Sequence, residues 1–320
     1  MTDLLSILPG PLTPTPQVAA QQLVAAISAN QAEQATLEQQ ISSGTVISQP
    51  SDNPTLAAQV ITLNASLTRA QQYVANANDG EAWLQQGTAT VNRVLQTLQS
   101  VQQAVESVSG NALSGQKAAI TGVATQVANS LQELLGLANT TYNGQAIFAG
   151  TGGAGGSTTA YNADGAYVGN STVPTRTVAP GVQVAVAITG PQVFGSSTST
   201  SGLLGTGTGG TAVGVLQQIV NDLNSGNLTA VTTTDLQNLQ GAMQTVEAAA
   251  AALGADYQNM QAFSTQATDT QQALQTEVGN AQNTNIPQAT TQLTEAQQAY
   301  QEALWATAQT TQASLVQFLS

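Results

Sequence analysis

Apolar residues recur at alternating four- and three-residue steps from Leu56 through Val60, Leu63, Leu67, Ala70, Val74, Ala77, Leu84, Val91, Leu95 and Leu98 to Val105, with only Glu81, Thr88 and Gln102 off the pattern. A seven-residue repeat kept over about fifty residues demands a helix lying along a partner, because a drifting surface helix would not hold one stripe against one neighbour for so long. At about 1.5 Å per residue such a helix spans roughly 75 Å. This stretch excludes any fold built from short elements around one centre.

A second seam answers it. Leu236, Leu239, Met243, Val246, Ala250, Leu253, Tyr257, Met260, Ala267, Leu274, Val278 and Ala281 keep the same repeat, broken at Ser264 and Gln271. A shorter pattern, Ile120, Ala124, Val127, Leu131, Leu134 and Ala138, follows the turn-like segment from Ser109 to Gly115. The spacing predicts two long helices, one from each half of the chain, packed antiparallel as a coiled-coil-like rod, with the third helix folded back on the first.

Between them the character changes. Residues 150–210 hold 15 of the 29 glycines, with many Thr and Ser. Val182 to Ile188 reads as a strand, with "RTVA" and "TAYN" as weaker candidates. "GTGGAGG" lacks the Lys and the strand–helix setting of a phosphate loop and reads as a flexible loop. "NADG", Asn162 to Gly165, reads as a β-turn, since the other acidic ligands of a calcium loop are missing. The fold class is mainly α with a small β insert.

Outside the long helices lie two breaks. In "ISSGTVISQPSDNP", Gly44 is placed to end a helix that begins near Gln17, Asn53 to cap the next and Pro54 to open it. "NTNIP", Asn283 to Pro287, precedes a last helix expected from about Gln288 to Leu319. Gly44, Pro50, Ser51, Asp52, Asn53, Pro54 and Pro287 are therefore candidates for a two-stranded joint. The expected division is residues 1–44 with 283–320 as a terminal helical domain, 45–145 with 211–282 as the long-helix domain and 146–210 as the β domain. Residues 1–16, with four prolines, read as a poorly ordered leader.

Composition then limits function. Only Arg69, Arg93, Lys117 and Arg176 are basic, against 17 carboxylates and a formal net charge of −13. That opposes binding to nucleic acid or to an anionic membrane. There is no Cys and no His, which removes the usual triads and zinc sites. Glu33, Glu38, Glu81, Glu106, Glu133 and Glu247 read as solvated helix faces. No catalytic residue, metal site or cofactor is expected. Trp83 and Trp305 read as packing anchors, and Tyr257 and Tyr300 as core. The N-terminal stretch, with Asp3 and a short apolar run, does not read as a cleaved signal peptide. The remaining signal is association: the helices carry few charges, and Leu304, Leu315, Phe318 and Leu319 form a candidate assembly surface.

Several segments, in order, resemble the flagellin superfamily of bacterial axial proteins, and within it the hook–filament junction proteins. They are "ISSGTVISQPSDNPTLAAQVITLNASL", "LANTTYNGQAIFAGT", "YNADGAYVGNSTVPTRTVAPGVQVAVAITGPQVF", "LGADYQNMQAF" and "SLVQFLS". The chain departs from the family pattern at Thr45 and Val46, where Lys-Arg is common, at Asn53, where Asp is common, and at "NTNIPQA", where proline is unusual. The resemblance implies a non-enzymatic, extracellular adaptor ring of identical subunits between the first hook-associated protein and the flagellin filament. It also implies type III export with a cytoplasmic chaperone and no cleaved signal. The alternatives are a filament flagellin and, from another class, a coiled-coil surface fibre or adhesin.

Overall fold

The computed structural model describes residues 16–109, 116–155 and 159–319. The chain divides into two compact units, one comprising the described residues up to Leu67 and from Ala273, the other running from Thr68 to Gln272. In chain order, α1 spans Pro16–Ser43, α2 Pro54–Ser109 and α3 Lys117–Ala138. Two short strands follow, β1 Thr141–Tyr142 and β2 Gln145–Ala146, then a 3₁₀ helix over Gly150–Gly155. Next come β3 Thr175–Ala179, β4 Val182–Ala185 and the short α4 Gly190–Phe194. The chain returns to helix with α5 Val215–Ser225, α6 Leu228–Ala230, a π-helical turn Val231–Asp235, α7 Leu236–Gln282 and α8 Ile286–Leu319. The expected leader and the turn around "GNALSG" lie outside the described residues.

In the Thr68–Gln272 unit, α2 and α7 run antiparallel. Asn78 receives the Ser264 hydroxyl at 3.3 Å, Gly80 lies against Met260, and Gly87 against Leu253. A Cβ on Gly80 would come within 2.7 Å of the Met260 methyl and 3.0 Å of Val186, so a glycine is what lets α7 and the insert meet the helix there. The predicted seam of α2 is one of two buried stripes. Trp83, Thr90, Val94, Thr97, Val101, Ala104 and Val108 are also buried. A single heptad stripe suits one partner; this stretch has two, because α3 and α7 share its core through Val127, Leu131 and Leu134 on one and Leu239, Val246 and Leu253 on the other. The buried Thr90 and Thr97 hydroxyls stay satisfied by donating to the carbonyls of Gln86 and Arg93, one turn back, at 2.8 and 3.1 Å.

The β segment is built from two hairpins. β1 and β2 are joined by Asn143-Gly144, both at positive φ (49° and 77°), the backbone a tight two-residue turn needs. β3 and β4 are joined by Pro180-Gly181, with Gly181 at φ +75°; proline then glycine suits the two central positions of a type II turn. "RTVA" is thus a strand, and "TAYN" contributes one bridge, Tyr161 to Tyr167. Residues 150–155, expected as a flexible loop, form the 3₁₀ helix, with the Thr151 amide donating to the Thr172 carbonyl at 2.7 Å. The insert shares its core with the helices: Phe148, Tyr161, Val186 and Phe194 belong to the same cluster as Leu84, Val91 and Leu98.

Asn139, at the end of α3, holds the insert in place. Its carbonyl oxygen accepts the amides of Ala160 and Tyr161 at 2.7 and 2.8 Å, and its amide donates to the Tyr161 carbonyl at 2.9 Å. The second hairpin is held by Arg176, whose Nε meets Asp79 Oδ2 at 2.7 Å and whose guanidinium lies 5.5 Å from the Trp83 ring centroid. Trp83, 4% exposed and edge-on to Tyr142, is the packing anchor its type suggests. Trp305 is not: it is 74% exposed. Tyr257 and Tyr300 are partly buried rather than core.

Candidate functional site at the helix joint

In the other unit, α1 and α8 pair antiparallel. Gln31 Nε2 donates to the Tyr300 hydroxyl at 3.1 Å, and Gln34 Nε2 to the Ala296 carbonyl at 2.9 Å. Their buried core is small: Leu37, Ala289 and Ala296, with Ile41 and Leu293 packed against it. Glutamine side chains bonded to the facing helix compensate for the short apolar stripe.

The two sequence breaks meet beside this pair. Gly44 ends α1 at φ +72°, its amide still donating to the Gln40 carbonyl at 2.9 Å. Thr45 then forms an isolated antiparallel bridge with Asn283. The Val46 amide donates to the Gln282 carbonyl at 2.8 Å, and the Thr284 amide to the Gly44 carbonyl at 2.9 Å. Gln40 Nε2 reaches forward to the Val46 carbonyl at 2.9 Å. Backbone groups freed by the end of one helix are thus satisfied by the end of another.

Beyond Val46 the chain turns by local chemistry. Gln49-Pro50-Ser51-Asp52 is a β-turn closed by the Asp52 amide on the Gln49 carbonyl at 3.0 Å, with Pro50 at the position proline favours. The Asp52 carboxylate folds back to accept the amides of Ser48 and Gln49 at 3.1 and 2.8 Å. Asn53 caps α2 by accepting the Leu56 amide at 3.0 Å, and Pro54 is its first residue. On the other strand Asn285 caps α8, accepting the Gln288 amide at 3.3 Å, so the helix begins at Ile286 and Pro287 sits in its first turn rather than before it. The segment from Ser48 to Pro54, and Pro287, are exposed. A polar cleft of about 330 Å³ opens between Thr36, Gln40, Ile47 and Asp52.

Of the expected assembly surface, Leu304 is 43% exposed, beside exposed Trp305. Leu315, Phe318 and Leu319 lie outside the residues whose side chains are described. Sequence reasoning passed over Trp305 as part of this face, although its position next to Leu304 signalled it. Among the described residues no helix is long and apolar enough to cross a membrane, and no group of three or more acidic side chains could hold a metal ion.

Residues 16–152 match the family model of the bacterial flagellin N-terminal helical region. Flagellar hook-associated protein 3 of Salmonella typhimurium is 28% identical over 187 residues, 57% of this chain and 57% of that protein. The match therefore spans little more than half the relative's length. Among solved structures, a Vibrio parahaemolyticus protein assigned to the flagellar hook-associated proteins superposes with a TM-score of 0.60 at 22% identity, covering 72% of this chain and all of that one. The flagellar junction protein FlgL of Legionella pneumophila superposes with a TM-score of 0.52 at 15% identity, covering 70% of this chain and 99% of that one. The chain is thus similar in sequence to flagellar hook-associated protein 3, over residues 16–152 to the flagellin N-terminal helical region, and in fold to solved hook-associated and junction proteins.

Proposed function

We propose that the chain is a structural subunit of the bacterial flagellum that joins hook to filament. Identical copies form a ring contacting the first hook-associated protein on one side and flagellin on the other. The observation that carries this reading is the antiparallel pairing of α1 with α8, which leaves exposed Leu304 and Trp305 on a helix with few charges. The similarity to hook-associated and junction proteins supports it. In this reading residues 1–44 with 283–320 form the assembly domain, 45–145 with 211–282 the long-helix domain, and 146–210 the β domain. Gly44, Pro50, Ser51, Asp52, Asn53, Pro54 and Pro287 set the joint. The subunit acts without catalysis. It is exported unfolded with a cytoplasmic chaperone and no cleaved signal, and it works outside the cell.

Deletion of the gene should leave hooks without filaments and release flagellin into the medium; normal filaments in that strain would overturn the proposal. A second reading, filament flagellin, is favoured by the family model, which describes flagellin itself. Copy number separates the two, since a junction ring needs few subunits per flagellum and a filament very many. Replacing residues 44–51 by helix formers should leave the Thr68–Gln272 unit folded yet prevent incorporation. Normal incorporation of that variant would remove the joint from the proposal.

A further inference from the structure

Asp235 is 2% exposed, and its Oδ2 is buried without a hydrogen-bond donor. It closes the π-helical turn that leads into α7. A single wider turn inside a helix often marks a functional position. Asp235 lines a cavity of about 360 Å³ with Thr200, Gln218, Asp222, Asn227 and Asn238. Asp222, on α5, has both oxygens engaged: Gln218 Nε2 donates to Oδ2 at 2.7 Å and Asn227 Nδ2 to Oδ1 at 3.1 Å.

Two carboxylates therefore share one pocket, and Asp222 and Asp235 are the only titratable residues among those lining it. None of the lining residues is cationic. The ion pairs formed by Arg93 with Glu133 and by Arg176 with Asp79 involve neither aspartate. As two anions, neither side chain could donate, and the buried Oδ2 would stay orphaned. One proton between them removes both the repulsion and the orphan.

We propose that Asp235 carries a proton and donates it to Asp222, making this carboxyl pair a proton-dependent latch where α5 packs against the π-helical turn that precedes α7. Burial first, then the negative charge and hydrogen bonding of Asp222, push the Asp235 carboxyl up to about 6. The unfolded chain ionises this group near the ordinary 3.8. Between the two values folding takes up a proton, so the latch is at full strength below the lower one and weakens as pH rises through the upper one. A divalent cation would also neutralise the pair, but amide nitrogens already occupy Asp222 and the pocket offers no third carboxylate.

The test is amide exchange in the full chain, normalised for intrinsic rates, over α5 and residues 228–240. It compares wild type, Asp235→Asn and Asp222→Asn between about pH 5 and about pH 7.5. In wild type, protection should fall on the order of 10-fold between these two pH values, the part of the interval from 3.8 to about 6 that lies above pH 5. Asp235→Asn, which keeps a donor without a charge, should hold its acid-state protection at neutral pH. Should that variant fold poorly, Asp222→Asn must still show a reduced pH slope, because the like charge is gone. An unchanged slope in whichever of these variants folds, or a flat wild type, overturns the proposal. So does neutral-pH protection that millimolar Ca²⁺ restores in wild type but not in Asp235→Asn, which would make the pocket a cation site instead.

Discussion

The Thr284 amide donates to the Gly44 carbonyl at 2.9 Å, so the residue that ends α1 also holds the segment leading into α8. Gly44 can do this because its φ of +72° turns the chain out of the helix. The joint is thereby one object made from two distant stretches. Its strength rests on a few backbone bonds rather than on apolar burial, since Gly44 to Ile47 are only half-buried.

Gly44→Ala isolates the backbone contribution. A Cβ there would meet nothing within 4 Å, so the loss comes from the left-handed conformation alone, about 1 kcal/mol. Gly44→Asn should lose less, because asparagine tolerates that region better. Faster exchange of the Val46 and Thr284 amides, with little change within Thr68–Gln272, would be the signature; equal exchange in Ala and wild type would contradict it.

Two glycines with the same φ of +75° make a sharper comparison. Gly181 has open space around it, whereas a Cβ on Gly165 would overlap the Leu204 carbonyl. Gly181→Ala should lower stability by about 1 kcal/mol, the strain term alone. Gly165→Ala adds displacement of buried backbone and should lose about 3 kcal/mol or more. Urea midpoints of the two variants decide it, and similar values would refute the steric argument.

Asn139→Leu removes one acceptor shared by two amides and one donor, and strands the Ala160 and Tyr161 backbone groups. With about 1 kcal/mol per bond and more for each buried group left unpaired, the loss should reach about 3 kcal/mol. Asn139→Asp keeps the acceptor and should lose about half as much. Near-ultraviolet circular dichroism should register looser packing of Tyr161 and Tyr167, whose tilted rings lie 5.3 Å apart between centroids.

What could be read in the sequence was local. Gly44 and Asn53-Pro54 mark helix ends because each acts on its own backbone. The seams revealed that each long helix needs a partner. The second stripe of α2 stayed hidden because Gly80, Gly87, Thr90 and Thr97 are small or polar, and their burial depends on what packs on them. Asn139 and the Arg176–Asp79 pair stayed hidden because nothing near Asn139 announces Tyr161, and Arg176 lies 97 residues from its partner. The Asn143-Gly144 hairpin carries a clear two-residue signature. Asp235 resembles any other helix-start carboxylate until Asp222 is placed beside it.

Arg176 and Asp79 are 27% and 35% exposed, so solvent screens their attraction only in part. A double-mutant cycle with Arg176→Ala and Asp79→Ala should give a coupling of about 1 kcal/mol, falling in molar salt. Arg176→Lys should recover only part of it, since a lysine cannot offer the Nε–H that meets Asp79 or lie flat over Trp83. Full recovery by lysine would show that charge alone holds the hairpin.

Acid should strengthen this protein before it weakens it. Burial raises the Asp235 carboxyl to about 6, aided by Asp222, and burial alone raises Asp256 on α7. For both, the folded state holds its proton more tightly than the unfolded state. Stability contributed by these groups is therefore complete below the unfolded carboxylate value and is lost as pH rises through the folded one. The formal charge of −13 acts in the same direction, because partial protonation relieves self-repulsion across a chain with four cations. Thermal melts followed by far-ultraviolet circular dichroism should give a higher Tm near pH 5 than near pH 7.5, by a few degrees. A Tm that is instead higher near pH 7.5 than near pH 5 would show that the buried carboxylates do not govern stability over this range.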